Sequence, residues 1–163
     1  MASDCTSSWS GRSDGNHAQG VAVFLSHKLT PMMIEVTTVN EHIKRCRIHH
    51  SLGVISLVSV YALTEASDLT VNDAFYARLE SVVDQCPWRD TLLVMSHQRW
   101  RDTLLVMGDF SASTGIDRDG YEMCGGPHGS GTVNQNSTKF LDVARSRGLG
   151  VAGSWYQHRQ THH

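Results

Sequence analysis

Short apolar runs bounded by turn residues recur along this chain and predict its strands. Gly20 to Ser26 is the first, and Pro31 marks a turn before a second extended stretch over Met33 to Thr38. In Ile43 to His50 the apolar residues are interrupted by Lys44, Arg45 and Arg47, the pattern of a strand with an exposed face or edge. That basic cluster reads as a solvated edge rather than a phosphate site. Val54 to Tyr61, opened by Gly53, is apolar on both alternating faces and belongs in the middle of a sheet. Thr103 to Met107, too short for a helix and closed by Gly108, reads as a strand buried on both faces, and Leu149 to Tyr156 as a last strand.

The three- and four-residue period appears twice. Over Thr70 to Cys86, Val71, Phe75, Leu79, Val82 and Val83 recur on one face, with Asn72, Asp73, Glu80 and Asp84 facing outward. Thr70 or Asn72 can cap this helix, and Pro87 ends it. A second helix is expected over about Ser137 to Ser146, capped by Asn134 or Asn136 and stopped by Gly148. Phe140, Leu141 and Ala144 face inward on it, with Arg145 and Arg147 near its C-terminal end. Strand, helix and buried strand in succession favour an α/β sandwich.

Between the helices the octet Trp88 to Met95 recurs unchanged at Trp100 to Met107. Two copies twelve residues apart are a local duplication and not a solenoid. The second copy leads into Gly108-Asp109 and should take the buried position, which leaves the first as an extra hairpin strand or an apolar bulge. Residues 111–135 are glycine-rich and read as a long surface loop.

Composition narrows the function. With 163 residues, 40% hydrophobic and 18% charged, the chain has material for one globular domain. A formal charge of −2 gives no general cationic field for nucleic acid. Four cysteines without a CxxC pair predict reduced thiols, and the adjacent pairs His49-His50 and His162-His163 lack metal-ligand spacing. Residues 1–19 are polar and read as a flexible lead-in; 20–157 form the domain, duplicated at 88–107, and 158–163 a short tail. No signal peptide or membrane span is visible, so an intracellular protein, nuclear or cytoplasmic, is expected.

Candidate chemistry sits where strands end. Asp109 leaves one apolar strand and Tyr61 another, and groups there reach a crevice from a backbone fixed by the sheet. The plainer alternatives stay open: Asp109 opening a turn, and Tyr61 as a core residue with a paired hydroxyl.

Seven stretches in order carry a resemblance: Trp9 to Gly15, His17 to Ala22, Ser59 to Thr64, Phe75 to Ala77, Val106 to Ala112, Gly126 to Gly131 and Gly153 to Tyr156. Together they resemble craniofacial development protein 2-like sequences and, through them, the apurinic-type endonuclease domain of LINE-type retrotransposons in the endonuclease/exonuclease/phosphatase superfamily. The resemblance implies a partial four-layer α/β sandwich, truncated at both ends, descended from a Mg²⁺-dependent endonuclease acting on DNA. Asp109 then corresponds to the family's water-activating Asp and Tyr61 to its phosphate-contacting Tyr. Ser111 replaces the family's phosphate-contacting Asn with a shorter group that has fewer donors. Leu63 stands where the family has proline, and Arg159-Gln160-Thr161-His162 lacks that motif's Trp. The family's metal-binding Glu, its second acidic motif and its histidine motif have no counterpart, which leaves the metal ligands unknown, with Asp109 a candidate, and implies an inactive fragment. Two other readings accompany this one: a non-catalytic interaction module, and a retroelement-derived reading frame without a stable product.

Overall fold

The computed structural model describes residues 5–11, 20–51, 53–64, 67–86 and 103–157. It is a mixed α/β structure of two compact units. The first duplicate, the Trp9 to Gly15 stretch beyond Gly11, and the tail 158–163 lie outside the described residues.

The first unit comprises Met1–Ala62 and Asp84–Asp109. Its strands are β1 (Cys5–Gly11), β2 (Gly20–Ser26), β3 (Met33–Thr38), β4 (Ile43–His50), β5 (Gly53–Tyr61) and β6 (Thr103–Asp109). Part of the stretch expected as a lead-in is thus a strand, because β1 pairs antiparallel with β2 over its whole length. The other four form one sheet in the order β3-β4-β5-β6, antiparallel except for the parallel pair β5–β6. The hairpin packs on this sheet through Leu25, which joins Cys46 and Ile48 of β4 in a core flanked by Val23, Val36 and Leu57.

Two expectations about this sheet are corrected. β4 is interior, not an edge: Ile43 and Cys46 are fully buried, and Lys44 is only 1% exposed, its amine donating to Thr38 Oγ1 at 3.0 Å. A charged residue in a strand marks an edge only if its tip can reach water, and here the sheet order denies it that route. Arg45 instead pairs with Glu35 across the β3–β4 ladder at 2.9 Å. The second correction concerns β6, which follows β5 in the sheet with no further strand beyond it among the described residues. Its apolar Leu105 and Met107 are 46% and 42% exposed, so it is not buried on both faces. β5, between its two neighbours, is the central strand its sequence predicts, with Val58 and Val60 buried.

The second unit comprises Leu63–Val83 and Phe110–His163. Helix α1 spans Leu69–Asp84 and α2 spans Gln135–Arg147. Asp68, ahead of both expected caps, supplies the carboxylate that accepts from the Thr70 N–H at 2.8 Å at the start of α1. Of the two asparagines expected to cap α2, Asn134 does so: its Oδ1 accepts from the Ser137 N–H at 2.8 Å and its own N–H donates to Ser137 Oγ at 3.0 Å, a reciprocal capping box. Gly148 closes the helix in the left-handed conformation, φ 64°. Ion pairs Arg147–Glu80 and Lys139–Asp73 tie α2 to α1.

The segment between β6 and α2 has no regular helix or strand, yet it is anchored. Cys124 is buried with Leu141 and Ala144, and Gly125 forms a parallel bridge to Val151. That single bridge replaces the last strand expected over Leu149 to Tyr156, where Ala152–Ser154 is a short 3-10 helix. Two glycines and Ser154, whose hydroxyl bonds the Gly126 N–H at 2.8 Å, turn the chain before a ladder can extend. Cys46, Cys86 and Cys124 are buried and not joined in disulfides, and no described helix is long and apolar enough to cross a membrane.

Candidate functional site

The parallel register of β5 and β6 sets Tyr61 directly opposite Asp109 at the last pair of the ladder. Two groups that the sequence places 48 positions apart therefore become neighbours at the C-terminal ends of adjacent strands. Just beyond, the Ala62 N–H donates to the Asp109 carbonyl at 2.7 Å, which closes the pair. Asp109 is exposed and Tyr61 half-buried, with both backbones fixed by the ladder.

Gly108 makes this close approach possible. It adopts φ +145°, and a Cβ built there would lie 1.8 Å from the Val60 carbonyl oxygen. Only glycine fits between β5 and the strand end that carries Asp109.

On the other side of Tyr61 lies His42, which the sequence reading did not single out. The Tyr61 N–H donates to the His42 carbonyl at 3.0 Å, and His42 Nδ1 lies 3.1 Å from the Tyr61 carbonyl oxygen. A carbonyl can only accept, so Nδ1 carries the proton in this pair. The two rings are near-parallel, 17° apart, with centroids 6.5 Å from each other. His42 stands just before β4 with polar neighbours, and no local pattern announced it.

Ser111 lies in the second unit with φ 46°, the one non-glycine residue at positive φ among those described. Its carbonyl accepts from Asn134 Nδ2 at 3.2 Å and Asn136 Nδ2 at 3.4 Å. Asn136 belongs to a buried network: its Oδ1 accepts from Asn72 Nδ2, its backbone carbonyl accepts from the Tyr76 hydroxyl at 3.2 Å, and its Nδ2 also donates to the Leu63 carbonyl at 2.8 Å. Burial pushes the Tyr76 phenol up to about 12, so it stays a donor through the physiological range. Asn72, expected on the outer face of α1, is buried, with its amide nitrogen donating to Asn136.

Magnesium is held by several oxygen ligands in near-octahedral geometry. Asp109 supplies one carboxylate, and the described residues contain no group of three or more His, Cys, Asp or Glu side chains placed to hold a metal ion. Among the described residues this donor set is too small for a metal site made of protein side chains alone. The arrangement does offer a proton acceptor, Asp109, beside a hydroxyl donor, Tyr61, on a rigid strand end.

Compared with known proteins, the chain matches no family model and no curated protein.

Proposed function

We propose that the chain is a phosphodiester-directed domain of the endonuclease/exonuclease/phosphatase type, related to LINE-type retrotransposon endonucleases, that binds DNA without hydrolysing it. The observation that carries this reading is the register that sets Tyr61 opposite Asp109 at the ends of β5 and β6. A phenol there donates to a phosphate oxygen, and a neighbouring carboxylate orients water or accepts its proton. The mixed α/β fold, with its four-stranded sheet and two helices, is compatible with part of the four-layer sandwich of that superfamily.

The loss of hydrolysis follows from the same residues. The reaction in such enzymes uses Mg²⁺ to stabilise charge on the phosphate, and the side chains described here do not assemble the acidic cluster that retains it. Ser111 supplies a hydroxyl where the resemblance places an amide donor to the phosphate.

Cleavage of an abasic or nicked DNA duplex with Mg²⁺, beside fluorescence anisotropy of the same duplex, tests both halves. Wild type is expected to release no more product than Asp109→Ala, while Tyr61→Phe weakens binding roughly tenfold to a hundredfold, the worth of one hydrogen bond to a charged group. Turnover that Asp109→Ala abolishes would refute the non-hydrolytic reading. Equal affinity of wild type and Tyr61→Phe would remove the phosphate contact.

A further inference from the structure

Asn136 makes more bonds than a helix start requires. Asn134 already caps α2, yet Asn136, 0% exposed, has its amide oxygen engaged by Asn72 and its amide nitrogen shared between two backbone carbonyls. Burying an amide costs free energy unless its polar atoms are bonded, and three partners engage this one side chain.

The identity of the two carbonyls gives the arrangement a meaning. Leu63 follows Tyr61 by two residues and Ser111 follows Asp109 by two. A single Nδ2 group thus ties the segment that continues from β5 to the segment that continues from β6. It also fastens the carbonyl of Ser111, whose left-handed conformation a β-carbon-bearing residue keeps only when its surroundings over-determine it.

We propose that Asn136 is a positioning residue of the second unit, a clamp that fixes the segments carrying Leu63 and Ser111 relative to each other and holds Ser111 in place. This rests on the functional reading above for its role, but the clamp itself is tested separately. Asn72 provides the control. Asn72→Ala removes the donor to Asn136 Oδ1 and leaves both Nδ2 bonds in place, so it loosens the network without opening the clamp.

The experiment measures ¹⁵N amide shifts and anisotropy with a nicked DNA duplex for wild type, Asn136→Ala and Asn72→Ala, below the unfolding temperature of each. Asn136→Ala is expected to move the amides of Leu63, Thr64, Ala112 and Ser113 and to weaken DNA binding roughly tenfold, with Asn72→Ala within about twofold of wild type. Equal binding losses in both variants, or none in either, would overturn the positioning role. If wild type itself does not bind the duplex, the functional reading fails, and the clamp is judged on the shifts: changes confined to α2 overturn it. Should Asn136→Ala fail to fold, the side-chain NH₂ protons of Asn136 in wild type decide. Slow exchange with solvent supports the clamp, and exchange as fast as that of an exposed asparagine overturns it.

Discussion

Replacing Gly108 with alanine should damage the molecule at one defined place. The new Cβ would lie 1.8 Å from Val60 O and 2.7 Å from Val60 C, whereas real Cβ contacts essentially never fall below 3.0 Å. The obstacle is backbone within a ladder, so relief requires β6 to move about 1 Å away from β5. That displacement breaks the bond from the Ala62 N–H to the Asp109 carbonyl and strains the last ladder pair, a loss of about 1 kcal/mol per bond. Holding alanine near φ +145° adds roughly 1–3 kcal/mol. A total of about 2–4 kcal/mol is a large part of a domain's usual 5–15 kcal/mol. Urea unfolding followed by far-UV circular dichroism reads it as a lower midpoint. Gly153→Ala serves as the control, since a Cβ there meets nothing within 4 Å. If the two variants unfold at the same urea concentration, the close approach of β6 to β5 is not a feature of the folded protein.

Two further substitutions test other parts of the same account. Burial pulls the Lys44 amine below its ordinary range, so the unfolded chain holds more protons than the folded one between the lowered value and that of free lysine. Stability should therefore rise with pH through that window; Lys44→Met should abolish the slope and raise stability at neutral pH by about 1–3 kcal/mol, and an unchanged midpoint would mean that the amine reaches water. Ser111→Asn places the non-glycine residue most tolerant of the left-handed region at φ 46° and should stabilise by roughly 0.5–1 kcal/mol, read as a higher urea midpoint at constant slope, whereas a lower midpoint would contradict the backbone assignment.

Much of this fold was legible in the sequence because its strands are hydrophobic runs punctuated by Gly and Pro, a local signal. β2 to β5 and both helices fall where the periods put them. What was not legible depends on partners far away in the chain. Lys44 reads as exposed from its neighbours in sequence, yet its fate is set by β3 and β5 on either side of it. Thr103 to Met107 reads as a doubly buried strand because its residues are apolar, but burial depends on what stands beyond it in the sheet. At the candidate site, Asp109 and Tyr61 were visible as strand exits, whereas their pairing depends on register. His42 carried no signal in its own surroundings and Asn136 carried only that of a helix cap, since a buried polar side chain is defined by the atoms it meets. Asn136 came nearest to discovery, as an alternative cap for the helix that Asn134 caps.

The order of the sheet also bears on how the chain folds. β3, β4 and β5 are consecutive antiparallel neighbours, each formed by closing a short turn. β6 is different: its parallel pairing with β5 closes a loop that runs from residue 62 to residue 102, an entropic cost met before any contact rewards it. Quenched-flow hydrogen exchange should accordingly find the amides of Val106 to Asp109 among the last to gain protection. Tyr61 is set early, in a local meander, and waits for Asp109 to arrive, so the pair on which the proposed function depends comes into being only at the end of folding.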